Sequence, residues 1–142
     1  MVERVLVPID GSEQAERACT FVVEEFPGTT MVLLHVIDPA EAGFSAQSSL
    51  PSFSEEWYEQ EQEKAERQFD EIEAAVETGD VTVERAVEVG TPTNAIVDYA
   101  DENDVDLIVM GSHGRDGVTR ILLGSVAETV VRRAPVPVTV TR

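Results

Sequence analysis

Five short apolar runs, each followed or preceded by an amphipathic stretch, leave this chain few folds to choose from. The runs are Arg4–Ile9, Met31–Ile37, Val81–Val89, Asp106–Met110 and Val136–Thr141. Between the first two, Glu13 to Phe26 places Ala15, Ala18, Val22 and Phe26 on one helical face. Ser12 precedes it as an N-cap, and Pro27-Gly28 ends it. Ala40–Ser54 is rich in Ser, Ala, Gly and Pro without a period, and reads as a loop. Glu55 to Thr78 is a long helix with Tyr58, Ala65, Phe69, Ile72 and Val76 on its apolar face, stopped by Gly79-Asp80. Thr91 caps the next helix and Pro92 opens it; Ile96, Tyr99 and Ala100 carry it to about Asn103. A last helix spans Ser125 to Arg133, its terminal Arg132 and Arg133 suiting the negative end of the helix dipole.

Buried strands alternating with helices predict an α/β fold with a parallel sheet covered on both faces. Right-handed crossovers make it a three-layer, doubly wound, five-stranded open sheet, one domain over residues 1–142, and the expected strand order is 3-2-1-4-5. Ligands of such sheets bind beyond the carboxyl ends of the strands, where the order reverses. Here that means the ends of strands one and four, Pro8-Ile9-Asp10 and Met110-Gly111.

Charge narrows the partners. Asp and Glu number 28 against 10 Lys and Arg, a formal net charge of −18. Lys64 is the sole lysine. So acidic a surface repels nucleic-acid phosphates and anionic membranes, and neither is an expected partner. No apolar run approaches the roughly 20 residues of a membrane span. The N-terminus MVERVLVPID carries charge at once and does not read as a signal peptide. A single cysteine, Cys19, suits a reducing cytoplasm. Self-repulsion at this charge is relieved by salt, which fits a salt-rich cytoplasm; an acidic protein of ordinary surroundings is the alternative.

The segment Val105–Ser125, VDLIVMGSHGRDGVTRILLGS, places a buried strand, glycines and a helix N-terminus in succession. Glycines let backbone approach an anion, and the first-turn N–H groups of a helix point at it. The spacing is not that of a P-loop, and no GxGxxG follows the first strand. It is G-x2-G-x9-G-S, at Gly111, Gly114, Gly124 and Ser125.

That spacing, with VPIDGS at the end of the first strand, LLHVID at the end of the second, VEVGTPTNAIVDYA across the third and its helix, and VDLIVMGSHGR at the fourth, resembles the universal stress protein family over essentially the whole chain. The resemblance implies a Rossmann-like sheet of the adenine nucleotide alpha hydrolase type. Its ATP-binding branch carries the complete glycine pattern. On that resemblance Pro8 and Ile9 line the base pocket, Asp10 lies at the ribose or adenine side, and Val36 offers backbone contacts to adenine. Met110 and Gly111 lie beneath the nucleotide. His113, Gly114 and Arg115 border the phosphates, which Gly124, Ser125 and Val126 hold at the helix N-terminus. The implied cofactor is ATP, with Mg or Mn held mainly by the phosphates. Family members dimerise through the fifth strand, which implies a homodimer through Val136 to Val140. The expected protein is a cytoplasmic, dimeric nucleotide-binding stress-response module.

Plainer readings stand beside these. Ser125-x-x-Glu128 is also a capping box. Asp10 alone is a turn residue. His35 is a packed or hydrogen-bonded core histidine, Cys19 inert packing, and Trp57 and Tyr58 core or lid contacts. The acidic runs of the long helix read as a solvated face. A slow ATPase or phosphotransfer enzyme using the same pocket, and a structural dimer without nucleotide, are the alternative functions. The sequence shows no general base held by an orienting partner, no lysine near the loop and no metal-ligand cluster, so efficient hydrolysis is not expected.

Overall fold

The computed structural model describes residues 2–40, 55–112 and 124–142. Its elements follow in the order β1 (Arg4–Ile9), α1 (Glu13–Glu25), β2 (Thr30–Ile37), α2 (Glu55–Ala75), β3 (Thr82–Val89), α3 (Pro92–Glu102), β4 (Leu107–Gly111), α4 (Ser125–Arg133) and β5 (Val138–Thr141). The strands form one sheet, β3-β2-β1-β4-β5, and every pair is parallel. The chain winds outward from β1 through β2 to β3, then returns to β4 on the other side. The reversal falls between β1 and β4.

Period-two alternation splits the apolar side chains between two faces. Val5, Val7, Met31, Leu33, Leu107 and Val109 pack toward α1 and α2, with Phe69 and Val22. Leu6, Val32, Leu34, Ile108 and Met110 pack toward α3 and α4, with Ile96 and Val130. The central strands are therefore apolar on both faces along most of their length, as a doubly covered sheet demands, with His35 of β2 a buried exception. Edge strands β3 and β5 are only half-buried or exposed. α2 is tied across the β3 edge by Arg85, which bonds Glu66, Asp70 and Glu73 at 2.7–2.9 Å and lies over the Phe69 ring.

Some boundaries differ from the sequence reading. α2 ends at Ala75, three residues before Thr78, although Val76 is still buried. β5 begins at Val138 rather than Val136, because Pro137 has no N–H to give and joins the sheet only through its carbonyl, which accepts from Ile108 N at 3.0 Å. Ser12 caps α1 as expected, accepting from Ala15 N. Thr91 occupies the cap position of α3 without a side-chain cap bond. The expected loop Ala40–Ser54 lies outside the described residues except for Ala40. Cys19 is fully buried, and desolvation, with the nearby Glu16 charge, pushes its thiol up to about 12. Among the described residues no helix is long and apolar enough to cross a membrane.

Candidate functional site

At the carboxyl end of the sheet, over the β1–β4 reversal, lies a cavity of about 370 Å³, within the roughly 300–1,000 Å³ usual for small-molecule sites. The sheet supplies its floor. Pro8, Ile9 and Asp10 come from the end of β1, Val36 from β2, and Met110 and Gly111 from β4. Gly124, Ser125 and Val126 at the start of α4 form its far side. Nine of the twelve residues singled out in the sequence thus surround one space. The other three, His113, Gly114 and Arg115, lie outside the described residues.

The beginning of α4 is pinned to the end of β4 by a hydrogen bond from Gly124 N to Ser112 O. This bond brings the two ends of the glycine segment together. Gly124 is the N-cap, with extended dihedrals and no side-chain cap bond. Its carbonyl accepts the first helical bond, from Glu128 N at 2.9 Å. Ser125, Val126 and Ala127 are then the first three helical residues, whose N–H groups have no partner within the helix. The capping-box reading fails here. Ser125 stands one position too late to cap, and the Glu128 carboxylate is engaged with Arg132 at 2.8 Å. The first turn of α4, partial positive by its dipole, lines the cavity, and its N-cap residue has no side chain to close it.

Opposite lies the turn Asp10-Gly11-Ser12. Asp10 Oδ1 accepts from Ser12 N at 3.0 Å and from the Ser12 hydroxyl, an Asx turn that shapes the exit from β1. The turn reading of Asp10 is thus correct for that oxygen, and the exposed carboxylate still lines the cavity with its remaining acceptor capacity. Gly11 has φ +82°, where a side chain is strained.

Gly111 has a structural reason of its own. A Cβ there would stand 2.6 Å from Gln14 Cβ and 3.1 Å from Gln14 backbone. α1 thus packs directly on the end of β4, and only glycine leaves room for it.

A third wall was not found from the sequence. Glu61, Lys64 and Gln68, on one face of α2, line the cavity together with His35 of β2. Their spacing marks a single helical stripe, but a polar stripe between acidic neighbours looks like any solvated face until α2 is docked. The absence of a lysine near the glycine loop, read from sequence distance alone, overlooked that α2 returns the only lysine of the chain to the cavity wall. His35 is a buried, hydrogen-bonded histidine as expected, with Nδ1 2.8 Å from Gln68 Oε1. Among the described residues no group of three His, Cys, Asp or Glu is placed to hold a metal ion.

Across its full length, residues 1–142, the chain matches the model of the universal stress protein family. The chain belongs to that family. This universal stress protein is 33% identical over 157 residues to Universal stress protein MJ0577 of Methanocaldococcus jannaschii, covering 100% of this chain and 96% of the relative. It is 31% identical over 144 residues to a universal stress protein of Thermus aquaticus, with both chains covered completely. The solved structure of MJ0577 matches with a TM-score of 0.82 at 34% identity, over 99% of this chain and 96% of that one. A universal stress protein solved in complex with cAMP matches with a TM-score of 0.65 at 25% identity, over 99% and 97% of the two chains.

Proposed function

We propose that this universal stress protein binds ATP in the cavity at the β1–β4 reversal and acts as a dimeric, cytoplasmic nucleotide-responsive module that holds its ligand rather than turning it over. The carrying observation is the first turn of α4. It lines the cavity with N–H groups that have no partner within the helix, a glycine at the N-cap, and Gly124 pinned to Ser112. Such a terminus offers several donors and a favourable dipole to a phosphate chain. The apolar floor of Pro8, Ile9, Val36 and Met110 suits the flat face of a base. The cAMP complex of a related protein supports the same ligand class.

The described residues include no set of three metal ligands. A magnesium or manganese ion would therefore be held mainly by the phosphates, as hard cations are in many nucleotide sites. Asp10 Oδ1 is engaged in its own turn, which favours a binding role for this carboxylate over that of a base in hydrolysis.

Purified protein is denatured and the released small molecule identified by mass spectrometry, with ATP expected; calorimetry then measures rebinding. Protein that releases no adenine nucleotide and does not bind ATP overturns the proposal, and steady release of ADP from added ATP replaces it with the enzyme reading. Gly114→Val, which adds a side chain where backbone is expected to approach phosphate, should weaken ATP binding by about tenfold or more.

A further inference from the structure

The wall supplied by α2 and β2 has a fixed polarity. His35 is 6% exposed, and its Nδ1 lies 2.8 Å from Gln68 Oε1. A carbonyl oxygen only accepts, so Nδ1 carries the hydrogen and donates it. That contact orients the carboxamide. With Oε1 turned to His35, Nε2 and its N–H groups face the other way. Gly11 reveals where they face, because a Cβ on Gly11 would stand 2.9 Å from Gln68 Nε2. The amide nitrogen therefore lies over the middle of the Asp10-Gly11-Ser12 turn.

Asp10 and Gln68 both line the cavity, and Gly11, over which the amide nitrogen lies, is the chain neighbour of Asp10. An ionised carboxylate only accepts hydrogen bonds, and an amide NH2 only donates. A ligand group that fits between them must donate on one side and accept on the other. A hydroxyl does both, and two hydroxyls on neighbouring carbons do so at two adjacent oxygens.

We infer that Gln68, oriented by His35, pairs with Asp10 to read the vicinal diol of a ribose, so that the site selects ribonucleotides over deoxyribonucleotides. The inference rests on the nucleotide reading above and adds the selectivity of the same site. Gln68 touches the sugar and His35 is a positioning residue. Gly11 is required for its positive φ, and a side chain there would also displace the Gln68 amide.

Calorimetry with ATP and with 2′,3′-dideoxy-ATP tests this on the full chain. The unaltered protein should bind ATP about tenfold more tightly than the dideoxy analogue, the order expected for one or two well-made hydrogen bonds. Gln68→Leu should reduce that preference several-fold by weakening ATP alone, leaving what Asp10 contributes; retained affinity for dideoxy-ATP shows that the variant is folded and its cavity intact. His35→Leu should reduce the preference, and His35→Asn, which keeps an N–H near the place of Nδ1, should restore much of it. A Gln68→Leu protein with the original preference overturns the inference and leaves nucleotide binding standing. So does equal loss of both ligands, which would make Gln68 a shaping residue. An unaltered protein that binds both equally also overturns it. One that binds neither overturns the nucleotide reading as well.

Discussion

Gly111 shows how one residue answers to two demands. In the sequence it marks the start of a phosphate-type glycine segment. In the fold, α1 rests on it so closely that a methyl group would meet Gln14 at 2.6 Å. Gly111→Ala should therefore destabilise the protein without any ligand, by about 1–3 kcal/mol, the usual cost of forcing an atom into a packed contact. A thermal melt of nucleotide-free protein checks this, and an unchanged midpoint would assign the glycine to the ligand alone. Asp10 divides in the same way, with Oδ1 spent on its turn. Residue types and their spacing were enough to find both positions. They did not reveal the packing role of Gly111, because Gln14 is distant from it in the chain and meets it only through the α1–β4 contact.

At the scale of elements, the sheet centre is fastened at its opposite end. Asp106, just before β4, accepts from the backbone N–H groups of Glu3 at 2.9 Å and Arg4 at 3.0 Å, while its own N–H donates to Arg4 O at 2.9 Å. The bond from Glu3, with that from Arg4, holds its carboxyl below the usual carboxylate range. A lowered folded value means stability that is present above the unfolded value, near pH ~4, and lost as pH falls through the folded one. Asp106→Asn should therefore flatten the acid limb of the stability–pH curve, measured by denaturant unfolding between about pH 2 and 6. An unaltered acid limb would count against the latch. Alternation and turn residues made the strands and helices legible in the sequence. Boundaries shifted where burial outlasted helical geometry, as at Val76, or where proline removed a donor, as at Pro137.

For the whole molecule, two features concern its surroundings. β5 is an edge strand joined only to β4. Pro137 and Thr141 offer their carbonyls to Ile108 and Ser112, so the backbone groups of Val138 and Val140, pointing the other way along a strand, face outward. Val140→Pro removes one outward N–H while sparing the bonds to β4, a place where edge strands tolerate proline. It should convert a dimer to monomers in light scattering after size exclusion, with the monomer still folded; an unchanged dimer would move the interface elsewhere. The net charge of −18 predicts the second. The thermal midpoint should rise between low and molar salt as screening relieves self-repulsion, most steeply below about 0.1–0.2 M where the Debye length shortens fastest. A flat salt response would remove the case for a salt-rich setting.

The sequence alone pointed to the family, the alternating strands and helices of a doubly wound sheet, and most of the cavity floor. These depend on local signals: apolar periodicity, caps and glycine spacing, each written in contiguous residues. The tertiary structure decided what distance along the chain conceals. It turned Glu128 from a capping partner into an ion pair with Arg132, and set Gly111 beneath Gln14. It also carried Lys64 and Gln68 from a surface-like helix to the wall of the cavity. The physical reason is the same in each case. A side chain's role is set by the groups that packing brings against it, and at these positions those groups come from other elements or depend on where the helix starts.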